Sequence, residues 1–475
     1  MAKHIAVDLG ASNGRVIVGN LSGFEVTNRF TTRSEILLKE SHWDIIYIFS
    51  EIKKGIKEAF LKYGDEIVSI GVDSWGVDYG LLDESGSLIA FPYHYRDLRT
   101  EGAIEEVTAK LGGKDKLFQR TGLAFHPFNT IFQLYAMQKL RPATFGVARH
   151  YLSLPDLINY WLTGVMVNEV SHVSTTQLYN PVEKDWDWES IDQLNFPRSL
   201  FGKLVPSGTV IGDLESRVAQ ELGAPKGIKV VAVGSHDTAS AVAAVPTATG
   251  KDFLYISSGT WSLLGVESEQ PILTKEALES GFTNELAVNG NIRFLKNIMG
   301  MWIQQECVNY WKGLGEKIEW PALDQETLES AAYPGYIDPN DSRYLNQSTP
   351  EDLMIDRVAG QCKEFGFEAP QTKGEYMVAI YRGLALAYKE AIAHLSETTG
   401  KEYTSLHIIG GGCQNEILDQ WSADETGLTV YAGPVEATAL GNMLVQGVAT
   451  GHIASLQEGR SQIITSQKVK QFDPA

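Results

Sequence analysis

Cysteine is scarce: Cys307, Cys362 and Cys413 are the only 3 in 475 residues, odd in number and far apart. That excludes a disulfide framework and a zinc-ligand spacing, and it points to a reducing compartment. Long apolar runs are missing too, since none approaches the roughly 18 residues that a bilayer span needs. The chain enters a strand at Lys3-His-Ile-Ala-Val7, which leaves no room for a signal peptide. A cytoplasmic protein without membrane contact is expected. Positive charge is the next deficit, with 40 Lys and Arg against 59 Asp and Glu and a formal net charge of −19. No Lys/Arg run makes a basic patch, so nucleic acid is not an expected partner. Neither Gly-x4-Gly-Lys-Ser/Thr nor a post-strand Gly-x-Gly-x-x-Gly occurs, which removes the P-loop and the dinucleotide fingerprint. Gly10-Ala-Ser-Asn-Gly14 spells Gly-x-Ser-x-Gly, but a strand rather than a helix follows it, so it is no nucleophile elbow.

What the chain does have is one device written twice. Ile5-Ala-Val-Asp-Leu-Gly-Ala-Ser-Asn-Gly-Arg-Val-Ile-Val18 and Leu254-Tyr-Ile-Ser-Ser-Gly-Thr-Trp-Ser-Leu-Leu-Gly265 each spell strand, tight small-residue turn, strand. Such turns leave backbone N–H groups uncovered and suit phosphate, so a duplicated fold acting on a polyphosphate is expected. The acidic Asp8 sits in one copy and has no counterpart in the other. A chain of this length exceeds one hydrophobic core, and 43% hydrophobic with 21% charged residues is a globular composition, so two large domains are expected.

The first domain reads β-β-α-β, with a helix over Ile45 to Tyr63 and strands at Ile67 to Asp73 and Tyr79 to Leu82. Residues from about 100 to 201 read as an insertion that shapes a pocket, helical near Leu152 to Trp161 and stopped at Gly164. Gln177, Asn168 and Ser174 there either face a ligand or satisfy loop backbone. A strand at Ile228 to Val233 leads into Gly234-Ser-His-Asp-Thr238 and a helix. Pro246-Thr-Ala-Thr-Gly250 is the best linker, dividing the chain into 1–245 and 246–475. The second half adds a helix over Tyr376 to Ser396, a strand over Ser405 to Ile409 and the run Gly410-Gly-Gly-Cys-Gln-Asn415.

Several segments carry a resemblance together. Val7-Asp-Leu-Gly-Ala-Ser-Asn-Gly-Arg15, Asp73-Ser-Trp-Gly-Val-Asp78, Tyr95-Arg-Asp-Leu-Arg99 and Ser235-His-Asp-Thr-Ala-Ser240 occupy the first half. Ser257-Ser-Gly-Thr-Trp-Ser262, Lys296-Asn-Ile-Met-Gly300 and Gly410-Gly-Gly-Cys-Gln-Asn415 follow. In that order they resemble the FGGY carbohydrate kinases, from the first strand to about Gly451. The resemblance implies an α/β fold of two duplicated actin-like (RNase H-like, ASKHA) domains around a central cleft. It implies ATP, Mg²⁺ and a small ketose substrate, with the sugar and base on the N-terminal domain and ATP on the C-terminal one. Closure of the two domains would exclude water. The expected reaction is phosphorylation at O1 of a 6-deoxy-ketohexose, L-rhamnulose first and L-fuculose as the alternative. A remote alternative is a non-catalytic actin-like sensor that binds nucleotide. The oligomeric state, monomer or homodimer, is left open.

Residue roles follow by position. Asp237 lies past a strand at the first turn of a helix, where open-sheet ligands bind, and either caps that helix or acts as base; the resemblance implies the base. His236 and Thr238 then line the sugar, as do Gly76 and Asn297 by resemblance. Asp8 ends a strand before the first turn and either holds Mg²⁺ at the phosphates or closes an Asx-type turn. Ala11, Ser12, Asn13, Gly14 and Arg15 match the family's first ATP segment, although Arg15 read alone could be a surface charge. Thr260 matches the second phosphate contact, Gln305 a nucleotide contact and Gly411 the adenosine contact. A triple glycine permits close approach of a flat ring, or simply turns the chain. Trp75 reads as core. His126 departs from the apolar residue the family pattern expects, in the region toward the sugar's far end.

Overall fold

The computed structural model describes residues 2–247 and 253–475, so part of the expected linker, 248–250, lies outside the described residues. Compactness groups the chain into two units. The first holds Met1–Lys251, Glu267–Phe294 and Ala437–Gln467, and the second holds Asp252–Val266, Leu295–Glu436 and Lys468–Ala475. Division at 245/246 follows chain order, whereas these units assign two later segments to the first.

The first unit is built on a six-stranded sheet in the order Thr209–Asp213, Lys229–Ala232, Ile67–Ser74, Lys3–Leu9, Asn13–Asn20 and Gly23–Thr31. Lys3–Leu9 runs parallel to Ile67–Ser74 and antiparallel to Asn13–Asn20, so the first expected hairpin is present. The helix Ile45–Tyr63 starts where the Asp44 side chain accepts from Tyr47 N at 3.1 Å. Its Ile48, Ile52, Ile56 and Ala59 recur at helical spacing and are fully buried against the sheet. Leu154–Thr163 ends at Gly164 in the left-handed conformation, as the Leu-Thr-Gly stop suggested. Tyr79–Leu82 pairs with His150–Ser153 in a separate two-stranded ladder, which ties the inserted region to the start of the fold.

Two helices fix the end of this sheet that carries the candidate chemistry. Asp237–Ala243 is a short helix whose neighbour is Ala437–Ala449. From the latter, Gln446 donates to Ile5 O at 2.9 Å and accepts from Ser69 Oγ at 2.7 Å. These bonds satisfy buried polar groups and lock the helix in register with the two central strands.

In the second unit Leu254–Ser258 pairs antiparallel with Trp261–Ser268 and parallel with Ser405–Ile409. Ser405–Ile409 is followed in the sheet by Thr429–Ala432 and Lys470–Phe472. The second hairpin is therefore also present, at the equivalent place beside a central parallel strand. The helix Lys373–Thr399 opens with a capping box between Thr372 and Glu375 and closes at Gly400, bracketing the expected 376–396 span. All three cysteines are free and buried. Among the described residues no helix is long and apolar enough to cross a membrane.

Candidate active site

In the first unit the parallel strands deliver their C-terminal ends to one place, where open sheets bind ligands. Asp8 stands opposite Arg15 across the hairpin and opposite Asp73 across the parallel pairing. The Asp8 carboxylate is buried and ion-paired to Arg15. Asp73 is wholly buried: its Oδ2 accepts from Asn442 at 2.5 Å, while its Oδ1 has no hydrogen-bond partner among the described residues. Burial, reinforced by the nearby Asp8 and Asp237 carboxylates, pushes Asp73 well above the usual carboxylate range. Sequence reasoning did not single out Asp73. The signal was present, because Ile5-Ala-Val-Asp8 and Ile70-Gly-Val-Asp73 repeat one pattern on paired strands.

The first turn is held by Gly10 N donating to Asn13 O at 3.0 Å and Thr32 Oγ1 donating to Gly10 O at 2.7 Å. Ser12 and Asn13 are exposed at its tip, Ala11 is half-buried and Gly14 is buried. Those four residues and Arg15 thus share one hairpin beside Asp8.

Asp237 is the first residue of its helix, with His236 as the N-cap. Its Oδ1 accepts from Thr238 N at 2.6 Å and from Thr238 Oγ1 at 3.2 Å, with His236 Nε2 3.4 Å away. No described residue bonds Oδ2, and the side chain remains 29% exposed. Burial raises the Asp237 carboxyl above its ordinary value, opposed by His236, Thr238 and Arg293. The preceding loop is pinned on both sides. Ser74 N donates to Ser235 O at 2.9 Å, and the buried Glu169 Oε2 accepts from Ser235 N at 3.1 Å. A Cβ on Gly76 would lie 3.4 Å from His236 Nε2 and 3.2 Å from Thr175 Oγ1, so Gly76 borders the same space. Gly76, His236, Asp237 and Thr238 are therefore brought together.

Trp75 is core, donating from Nε1 to Asp78 at 2.8 Å beside Trp43. Of the three inserted polar residues, Gln177 and Ser174 serve the local fold: Gln177 joins Asn129 to Leu123 O, and Ser174 Oγ receives Leu286 N at 2.8 Å. Asn168 is buried, and among the described residues its Oδ1 has no hydrogen-bond partner. His126 stacks on Phe128 at 4.8 Å, and burial pushes its imidazole down to about 4.

In the second unit the 258–261 turn is tied to the start of a helix. Gly300 N and Trp302 N donate to Thr260 O at 3.1 and 3.3 Å, and Met301 N donates to Gly259 O at 3.1 Å. Thr260, Asn297 on Ile292–Met299 and Gln305 on Trp302–Gly313 are half-buried around this junction. The glycine run meets it from the neighbouring strand. Gly410 has φ +85° and would place a Cβ 2.9 Å from Ser258 O, and a Cβ on Gly412 would overlap the Ser258 side chain. Gly411 is exposed and faces open space, so no neighbouring protein atom explains the absence of its side chain.

Among the described residues no group of three His, Cys, Asp or Glu could hold a metal ion. Kinase Mg²⁺ takes one or two carboxylates plus phosphate oxygens, so Asp8 at the phosphate-type turn fits a cation that arrives with nucleotide.

The N-terminal domain of the FGGY family of carbohydrate kinases matches residues 4–244, and the C-terminal domain of that family matches residues 254–450. Rhamnulokinase of Halalkalibacterium halodurans is 39% identical over 471 residues, 98% of each chain. Rhamnulokinase of Oceanobacillus iheyensis is 40% identical over 465 residues, covering 97% of this chain and 96% of that one. Among solved structures, a ligand-bound xylulose kinase from Lactobacillus acidophilus superposes with TM-score 0.80 at 17% identity, covering 100% of this chain and 94% of that one. Plasmodium falciparum glycerol kinase with ADP gives 0.78 at 15% identity, again covering 100% and 94%. At that identity the two structures speak for the fold alone.

Proposed function

This chain belongs to the FGGY family of carbohydrate kinases, and from that premise we propose that it transfers the γ-phosphate of ATP to O1 of L-rhamnulose, giving L-rhamnulose 1-phosphate. The observation that carries the reading is Asp237: one carboxylate oxygen is anchored by Thr238 and the other is open, beside Gly76 and His236. Near-full-length similarity to curated rhamnulokinases supports the substrate. A cytoplasmic location accords with the cysteine content.

The chemistry follows from what the chain positions. Asp237 Oδ2 takes the proton of the substrate O1 hydroxyl, O1 forms a bond to Pγ, and the bond from Pγ to the β,γ-bridging oxygen breaks. The electron pair leaves on ADP. Little covalent work falls to the protein, so positioning and charge supply the rate. Mg²⁺, held from Asp8 together with the phosphates, would neutralise charge on the β- and γ-oxygens. Ala11, Ser12, Asn13, Gly14, Arg15, Thr260, Gln305 and Gly411 are proposed nucleotide contacts. Asn297 is a proposed sugar contact.

A coupled ADP assay over a ketose panel tests the reading. L-Rhamnulose is expected to give the highest kcat/KM; preference for L-fuculose, an epimer, reassigns the sugar. Nucleotide binding without sugar-dependent ADP release would favour a sensor instead. Two further outcomes are expected. Asp8→Asn should raise the Mg²⁺ concentration for half-maximal rate about tenfold or more, and an unchanged metal titration would remove Asp8 from the site. Because burial raises Asp237, and a base acts only when deprotonated, the acid limb of kcat/KM should lie at higher pH than for an ordinary carboxylate. A pH–rate profile checks this, and a limb at or below the ordinary carboxylate value contradicts it.

A further inference from the structure

Behind Asp237 stands a buried group that the reaction does not touch. His236 Nδ1 lies 3.0 Å from Arg293 Nη2 and 3.1 Å from Glu285 Oε2, and Arg293 Nη2 donates to Glu285 Oε2 at 2.9 Å. Arg293 has no solvent exposure, and its Nε donates to Leu286 O at 3.1 Å. Glu285 and Arg293 face each other from the strands Phe282–Leu286 and Ile292–Met299. Burial alone would push the Glu285 carboxyl up, but Arg293 and His236 together hold it below its ordinary value. An ionised, paired Glu285 is thus part of the arrangement.

The ring has two neutral forms with opposite consequences. If Nδ1 donates to Glu285, Nε2 turns a lone pair toward Asp237. If Nδ1 accepts from Arg293, Nε2 carries the hydrogen and directs it at Asp237 Oδ1. Glu285 Oε2 and Arg293 Nη2 both lie within hydrogen-bond reach of Nδ1, and the always-charged guanidinium, which can only donate, selects the accepting form.

We propose that Arg293 and Glu285 are positioning residues that hold His236 with its hydrogen on Nε2, turned toward the Asp237 Oδ1 that Thr238 anchors, so that Oδ2 is the atom presented to the substrate hydroxyl. The inference rests on Asp237 being the base, and it adds residues that meet neither sugar nor nucleotide. Other groups face the cluster. His172 approaches His236 with ring centroids 6.5 Å apart, His126 lies in the field of Glu285, and Asp73, beside Asp8 and Arg15, faces Asp237.

Nitrogen-15 spectra of the full-length protein labelled at histidine, with His236 assigned by its loss in His236→Gln, read the tautomer without any turnover. Hydrogen on Nε2 in the parent is expected; hydrogen on Nδ1 or on both nitrogens overturns the proposal. Kinetics supply a second arm. Arg293→Met removes a positive charge and the donor to Nδ1, so the acid limb of kcat/KM should move up by about one pH unit. Glu285→Gln leaves Arg293 uncompensated, so the limb should move down. A purely structural role would not give opposite shifts. Limbs that stay in place, or move together, in variants with parent-like circular dichroism overturn it. Should Arg293→Met not fold, Glu285→Gln and the parent spectrum decide. Loss of the base assignment itself shows elsewhere, as unimpaired turnover in Asp237→Asn.

Discussion

Asp237→Asn is expected to lower kcat at least about a hundredfold, the low end for loss of a general base, while ATP affinity stays within about twofold. Asparagine keeps the size of the side chain and can present its carbonyl oxygen to Thr238 N and Oγ1, the partners that anchor Oδ1. The amide nitrogen then occupies the place of Oδ2, and it has no lone pair free to take the O1 proton. The substitution therefore tests proton abstraction rather than folding or binding. Steady-state kinetics in both substrates, with nucleotide binding measured separately, give the answer. Turnover near the parent value would end the assignment of Asp237 as base.

Gly441→Val should be nearly as damaging to turnover, from a position that touches no substrate. Gly441 lies where Ala437–Ala449 crosses Asp237–Ala243, and a Cβ there would overlap the Ser240 carbonyl, with the carbonyl carbon at 2.6 Å. Backbone on both sides cannot swing away as a flexible side chain can. Overpacking of this kind costs about 3 kcal/mol or more. Relief requires moving the short helix that begins at Asp237. Displacement on the order of 1 Å at a reacting group costs about a hundredfold in rate. Thermal unfolding should show a lower Tm, and kcat should fall with it. A variant with parent Tm and kcat would show that the crossing does not position Asp237.

Both hairpins, the helix Ile45–Tyr63 and the stop at Gly164 could be read from the chain because each is local: apolar spacing, a cap, a small-residue turn. The same holds for Asp237, whose place after a strand and at a helix start is a matter of a few consecutive residues. Tyr79–Leu82 was visible as a strand, but its partner His150–Ser153 was not, since pairing across that distance leaves no periodic trace. For the triple glycine, sequence alone permitted either a turn or a ligand contact. In the packed chain Gly410 and Gly412 are needed against Ser258, while a Cβ on Gly411 would meet no protein atom within 4 Å.

Motif order and residue type thus sufficed for the family, the α/β class and the placing of Asp8 at a strand end and Asp237 at a helix start, since these depend on neighbours along the chain. Folding alone set Asp73 opposite Asp8, Asn442 upon Asp73, and Glu285 with Arg293 behind His236. Those partners are separated by tens to hundreds of positions, and what joins them is strand register and helix crossing. Buried charge must find compensation wherever the packed chain supplies it, so that choice is made in three dimensions.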